Sequence, residues 1–451
     1  MTTTAPTAAP VRNVPEVPPL PPLREPDDSR RTLSTGLDLW AARRTGAGLS
    51  EVRLVIPLGA LAADVSADAT ARLAAELLFT EAAGPAAADA GRRLAVLGFS
   101  ARASAGAGSF TVALSGLDEN LSEALSVVAE VVGSVSFDPT QVDLRSGRVA
   151  SQLELEGSDP GRIGHDRLRR LLFADHLYAR TLSDPKAVAA ADAAATDRFS
   201  QQHLVPSGSH LVIISPRTPG EVLNEAESAL KTWDRGGEAT PVANPPEGDP
   251  EALGRMLVLD RPDSVQTAYW FASRTSGRGA PDHAALNIAV LVLQKRVYDN
   301  IRRRNAWSYA AGSQLIDLPA ASYCMLGCPV RTEVTMPAYT ELLHEMNRML
   351  ASPISNDELA EAIGALQGRT AQRLGSRSGL AGELARLAES GSTVRVLADE
   401  TAALSTVTAD EVMETSRRWL APTRTAFVAV GNAETLVPLL ETISAIRVEP
   451  A

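Results

Sequence analysis

Phe199–Ala226, FSQQHLVPSGSHLVIISPRTPGEVLNEA, and Ser416–Leu440, SRRWLAPTRTAFVAVGNAETLVPLL, read as one succession of elements written twice. Each leaves a helix through a proline turn, enters a short apolar strand and passes into a second helix. Pro206 and Pro422 hold the same place in the two copies, at an offset of 216. A second pair repeats at nearly the same interval: RRLAVLGFSARAS from Arg92 lies over RRRNAWSYAAGSQ from Arg302, at an offset of 210. Such a period is far too long for a solenoid. It predicts two homologous domains of about 200 residues each, the usual size of a folding unit. Strands alternating with helices through short turns imply, in each, a sheet with helices on one face, hence an α+β chain.

Working outward, Asp234–Leu253 (DRGGEATPVANPPEGDPEAL) is rich in Gly, Pro and Glu and reads as an interior linker. Eight prolines fall between Met1 and Pro26 and predict an extended, poorly ordered leader. The expected organisation is therefore a leader over residues 1–30, a first domain over 31–233, a linker over 234–253 and a second domain over 254–451. Within the first domain, Thr32–Ala42, Leu49–Leu58 and Ser209–Ile214 read as strands, with small-residue strands in Ser100–Leu114. Helices are expected at Thr70–Phe79, Leu121–Val132, Pro139–Glu156, Arg162–Leu172 and Pro219–Trp233. In the second, Gly254–Leu259, Val265–Ala272, Ser308–Leu315, Ser322–Cys328 and Arg424–Val430 read as strands. Its helices are expected at Asp282–Arg304, Ala338–Ala351, Asn356–Leu387, Ala409–Leu420 and Ala433–Ile443.

Composition narrows the function. The chain carries 43 Lys+Arg against 54 Asp+Glu, a formal charge of −11, which opposes a nucleic-acid grip that needs a basic footprint. No apolar run approaches the roughly 18 residues of a membrane span. The N-terminus lacks the basic and apolar regions of a secretory signal. A soluble, cytoplasmic chain with no membrane partner is the expectation.

Candidate chemistry is sparse. A zinc helix needs two histidines one turn apart with an adjacent glutamate. The nearest match, His344-Glu345-Met346-Asn347-Arg348, puts an arginine at the second ligand, and arginine does not bind zinc at neutral pH. His203 and His210 flank a proline turn and are not expected to share a metal. Cys324 and Cys328 share one face of a strand and read as small buried residues. Neither a G-x-S-x-G elbow nor a G-x-x-x-x-G-K-[ST] loop is present. One constellation remains, Arg302 and Tyr309 in IRRRNAWSYAAG. If they converge, a guanidinium fork and a phenol can hold a carbonyl and the oxyanion that develops from it. As residues alone they read first as helix-end cations and a half-buried aromatic.

Three passages resemble the M16 (insulinase/pitrilysin-like) metallopeptidase family. They are RRTLSTGLDLWAARRTGAGLSEVRLVIPLGAL near the start, LRRLLFADHLYARTLSDPKAVAAADAAATDRFSQQHLVPSGSHLVIISP from Leu168, and VLQKRVYDNIRRRNAWSYAAGSQ from Val292. The last is similar to the family's Arg/Tyr segment and sets Arg302 and Tyr309 seven apart, as that pair is spaced. The resemblance implies two M16-type domains, each a mainly antiparallel sheet with helices packed on one face. It also exposes a departure. Active members carry H-x-x-E-H on the first long helix and a distal glutamate ligand. Here Arg72, Ala75 and Glu76 stand at the first positions and Gln152 at the distal one, so the first domain carries a degenerate zinc helix and the chain binds no cofactor.

The family includes two-subunit peptidases in which one chain bears the zinc helix and the other the Arg/Tyr pair, closing as a clamshell. The resemblance therefore implies the second kind of subunit. It would be inactive alone, with Zn²⁺ in a heterodimeric partner, Arg302 and Tyr309 as catalytic residues, and peptides such as leader peptides as substrates. The alternative it leaves open is an inactive scaffold or peptide-binding subunit.

Overall fold

The computed structural model describes residues 25–80, 84–106, 108–134, 136–239 and 242–451, so most of the proline-rich leader lies outside the described residues. Two six-stranded sheets carry the fold. Strands β1 (Asp28–Thr32), β2 (Asp38–Arg43), β3 (Leu49–Pro57), β4 (Ser100–Gly106), β5 (Ser109–Leu117) and β6 (His210–Ser215) form the first, in the order β1-β2-β6-β3-β5-β4. Strands β7 (Met256–Asp260), β8 (Gln266–Thr275), β9 (Gly312–Leu318), β10 (Ala321–Arg331), β11 (Ala426–Gly431) and β12 (Ile446–Pro450) form the second, in the order β12-β7-β11-β8-β10-β9. Pairing is antiparallel except for β2 with β6, β7 with β11, and β7 with β12. The orders superimpose strand for strand, and the starts of β6 at His210 and β11 at Ala426 repeat the offset of the two prolines. Only the outermost strand differs in origin: β1 comes from before its domain's core and β12 from after it.

Local sequence fixes where the helices start. Asp138, Asp159 and Asp184 each accept the amide three residues on, and each is followed by proline at the first helical position of Pro139–Gly157, Pro160–Phe173 and Pro185–Ala190. Aspartate satisfies a free amide there, while proline lacks one and is already at a helical φ. Ser355 and Thr408 open later helices with reciprocal Ser/Thr–Glu caps.

The far face of each sheet is covered by one helix borrowed from the other half. Pro160–Phe173 packs across β8 and β11, while Arg377–Glu389 packs across β3 and β6. The first contact is made by glycine. A Cβ on Gly164 would stand 2.2 Å from Cδ1 of Trp270, and one on Gly327 would stand 2.5 Å from the same ring's Cζ3. The indole fits only because both lack side chains. The second contact seats Leu380, Ala381, Leu384 and Leu387 on Trp40, Val55, Val212 and Ile214. Each half thus completes the other's core. The described residues of 234–253 form no strand and only a short 3₁₀ turn at Pro250–Ala252. Arg235 nonetheless donates to the carbonyls of Ser200 and Gly133, and Ala239 to that of Ser207, which ties this stretch down.

Several elements differ from the sequence reading for identifiable reasons. Thr32–Ala42 is a hairpin rather than one strand, because Gly36 at φ +82° turns the chain. The helical stretch Asn356–Leu387 is two helices, broken at Ser376, whose extended backbone ends one and whose hydroxyl caps the next through Gly379. The strand read at Ser308–Leu315 begins only at Gly312, so its start lies slightly further from that of β4 at Ser100 than the sequence alignment implies. The helix Gly84–Val96, the helix Arg395–Leu404 and β12 are not among the expected elements. No helix among the described residues is long and apolar enough to cross a membrane.

Candidate functional site

The positions where a zinc set would stand come first. They lie on two helices, Val65–Leu77 and Pro139–Gly157, which pack together through Ala69, Ala150 and Leu153. On the first, Arg72 is paired with Glu76 at 3.0 Å, one turn on, and Ala75 is buried in the core. On the second, Gln152 is exposed and donates to Glu156 at 3.1 Å. A guanidinium, a methyl and an amide supply no ligand set for a dication, and the remaining carboxylate already faces a cation. These residues do not fit zinc. Among the described residues no group of three or more His, Cys, Asp or Glu side chains is placed to hold a metal ion. The cysteines are buried, and desolvation pushes both thiols up to about 12, as small core residues require.

Arg302 and Tyr309 occupy a differently built region. The helix His283–Val297 does not end cleanly but continues as a π-helical turn, Tyr298–Arg304. Such turns are rare and need side chains to hold them. Asn300 supplies the hold. It is buried, its amide donates to Glu341 at 2.6 Å and Glu345 at 2.9 Å, and its carbonyl oxygen accepts from Asn305 at 2.8 Å. Glu345 is buried as well and takes a further bond from Arg348 at 2.8 Å. Every polar atom of Asn300 is therefore used, which makes the turn a fixed object. The backbone then reverses at Ala306, a non-glycine residue at φ +53°, and the Trp307 amide closes onto the Ile301 carbonyl at 2.9 Å.

This clamp presents the two candidate residues as a ledge. Arg302 is exposed and lies over the Tyr298 ring at 5.0 Å. Trp307 packs on the second core and Ser308 is buried, yet Tyr309 between them and β9 is 89% exposed. The half-buried aromatic that periodicity allowed is not what forms. Neither Arg302 nor Tyr309 makes a hydrogen bond or ion pair among the described residues, and no contact joins them. They sit on one anchored connection, both donors facing solvent. The sequence reading missed the clamp, although its signal was present: Glu341 and Glu345, one turn apart, interrupt the apolar face of Thr335–Ala351. Glu345 is also the second residue of the His344–Arg348 run, which lacks the second zinc ligand.

The six histidines are dispersed. His165, on the exchanged helix Pro160–Phe173, stacks on Trp270 with centroids 5.9 Å apart and faces the Tyr323 hydroxyl at 3.1 Å. Burial, with Arg169 and Arg162 nearby, drives it down to about 4. It belongs to the seam between the halves rather than to a ligand set.

The structure is two α+β halves of matching strand order, and known proteins share this fold. Residues 192–366 match the family described as Peptidase M16 inactive domain. Over 325 residues the chain is 21% identical to an uncharacterized zinc protease of Streptomyces coelicolor, covering 67% of both. Among solved structures it is similar to a peptidase M16 inactive domain from Pseudomonas fluorescens (TM-score 0.79, 18% identity, 90% of this chain and 98% of that one). A Helicobacter pylori protease is likewise similar, with TM-score 0.80, 14% identity, and 90% of this chain and 100% of that one covered. Complex III₂ of Candida albicans contains another such chain, with TM-score 0.74, 15% identity, and 90% of this chain and 97% of that one covered. The match to the inactive domain thus covers residues 192–366, and the likeness over the remainder is one of fold.

Proposed function

We propose that this chain is the non-zinc subunit of a two-chain M16-type peptidase, contributing Arg302 and Tyr309 to a site completed by a partner. One observation carries the reading. Two hydrogen-bond donors stand on a clamped, solvent-facing ledge with no acceptor of their own among the described residues, in a chain where the resemblance puts Arg72, Ala75, Glu76 and Gln152 at the zinc-site positions. Holding a tyrosine open on a buried polar clamp makes sense if its acceptor arrives from outside. The acceptor would be the scissile carbonyl and the oxyanion that forms from it, for which prepositioned donors are effective because they need no reorganisation. The Lewis acid and the water-activating carboxylate would have to be the partner's.

The test is cleavage of a mixed peptide library by this chain, by a candidate zinc-bearing subunit and by the mixture, each with and without chelator. Chelator-sensitive cleavage is expected only in the mixture. Tyr309→Phe should then lower turnover roughly 10²-fold while the two chains still co-elute. Cleavage by the zinc subunit alone, unchanged on mixing, would overturn the proposal. A second reading, an inactive scaffold or peptide-binding subunit, is favoured by the match of residues 192–366 to an inactive domain. It predicts that Arg302 and Tyr309 can be exchanged without effect on any partner's turnover.

A further inference from the structure

The structure assigns a small-molecule site to a cavity at the joint between the halves, where a small organic carboxylate with an apolar body binds. The cavity has a volume of about 700 Å³. Its wall is made by residues 278–281, the start of the helix His283–Val297, β9, and the helices Asn356–Gly375, Arg377–Glu389 and Arg395–Leu404. Arg377–Glu389 is the helix lent to the first sheet, so an occupant touches the element that joins the two halves. The site stands whether or not a partner completes the Arg302–Tyr309 ledge.

Three observations converge on an anionic group. The first is a charge left over. Glu383 is 1% exposed and lies among three guanidiniums. Arg278 Nη1 stands 2.6 Å from one oxygen, Arg373 Nε stands 3.3 Å from the other, and Arg386 pairs with that second oxygen. Arg278 also holds Glu400 through two bonds of 2.7 Å. Three cations thus face two anions. The other acids of the wall have their own partners. Asp399 faces Arg395 at 3.7 Å, while Asp317 accepts from Ser322 at 2.6 Å and lies 3.6 Å from His283 Nε2. Arg373 and Arg386 are each about half exposed, and a guanidinium has donors enough to take a second carboxylate while keeping the first.

The second observation is His283. It is 6% exposed, lines the cavity, and its Nδ1 meets no hydrogen-bond partner among the described residues. A buried polar atom left unpaired is costly, and a ligand oxygen would relieve it. The third is the 15-residue helix that His283 opens, whose first turn has no side-chain cap. Asp282, at the cap position, instead accepts from Trp419 Nε1 at 2.7 Å. Uncapped amides at a helix start favour negative charge.

The rest of the wall sets the body of the ligand. Leu315, Leu366, Leu397 and Leu404 line the cavity. Pockets of this size combine extensive apolar contact with a few placed polar groups. A bare inorganic ion would leave the leucines against water, and a neutral apolar compound would leave the surplus charge and His283 unanswered. A carboxylate on an apolar body meets both demands.

Isothermal titration calorimetry of the full chain with 4-phenylbutyrate tests the assignment, beside 4-phenylbutyramide, acetate and inorganic phosphate. The carboxylate should bind saturably, one per chain, with Kd below about 1 mM. The other three should bind at least about tenfold more weakly. Hydrogen exchange should slow in residues 278–288 and 377–404 when 4-phenylbutyrate is present. Arg373→Gln removes one half-exposed cation and should weaken binding about tenfold. Ala403→Phe, at a half-buried position of the wall, fills the cavity and should abolish saturable binding with unchanged circular dichroism. Equal binding of the amide would show an apolar cavity with no demand for charge. Equal binding of acetate or phosphate would show an ion site with no use for the apolar wall. Either result overturns the assignment, as would no saturable binding, unaltered affinity in either variant, or slowed exchange confined to other segments.

Discussion

The two halves share a strand order but treat the passage into their outer strand differently. In the first, the helix Gly84–Val96 reaches β4 through a short turn at Gly98, with φ +77°, that buries Phe99. In the second, the π-turn reaches β9 through residues 305–311, which bury Ser308 and leave Tyr309 in solvent. The first connection closes on the fold's own core; the second is built outward on a polar clamp. Duplicated domains with the same topology can therefore diverge by converting a tight turn into a display. The exchanged helices diverge likewise. Pro160–Phe173 and Arg377–Glu389 begin at nearly the offset of the two prolines and occupy corresponding places, yet the first inserts His165 against aromatic rings where the second has Gly382.

That last contrast gives the largest expected effect. His165 is held at about 4 by burial, against an unfolded value near 6.5. Between those values the unfolded chain takes up a proton that the folded chain does not, so stability falls as pH drops from about 6.5 to about 4. The loss attributable to this group is up to about 3 kcal/mol. Urea unfolding across that window should show the slope, and His165→Gln should flatten it. An unchanged slope would remove the seam from the account.

Breaking the clamp comes next. Asn300→Ala leaves the Glu341 and Glu345 carboxylates short of a donor in a buried site and should cost about 2–3 kcal/mol, read from the urea midpoint. It should also expose the 305–311 connection to proteolysis, which the short first-half turn would not match. A stability change with no new cleavage there would mean the clamp serves the core and not the ledge. Gly164→Ala should cost about 2 kcal/mol by forcing the Trp270 ring aside. The control Gly147→Ala, whose Cβ meets nothing within 4 Å in the helix Pro139–Gly157, should be neutral or slightly stabilising. The smallest effect sharpens the comparison most. Tyr309→Phe should change folding stability by less than about 0.5 kcal/mol, because the side chain packs on nothing. A larger loss would make Tyr309 a packing residue and remove its proposed role.

Much of this was legible one-dimensionally because it rests on local or repeated information. Apolar runs between proline turns marked β6 and β11, and the helix read from Pro139 begins there, whereas the Asp-Pro start at Pro160 was placed at Arg162 and that at Pro185 was not read, although cap chemistry and a fixed φ act within a few residues. The duplication itself was readable from Pro206 and Pro422. That Arg72, Ala75, Glu76 and Gln152 stand where a zinc set would is implied by the family resemblance, and their side-chain chemistry then argues against a zinc set there. Tertiary structure decided what depends on distant partners. Glu345 has its meaning from Asn300, forty-five positions away, and Trp270 from Gly164, more than a hundred away. The seven-residue spacing of Arg302 and Tyr309 is written in the chain. Whether they would be buried or displayed was fixed by a π-turn that exists only because two carboxylates from another helix meet one asparagine. Burying a polar group requires that its partners arrive with it, and no local pattern records where they come from.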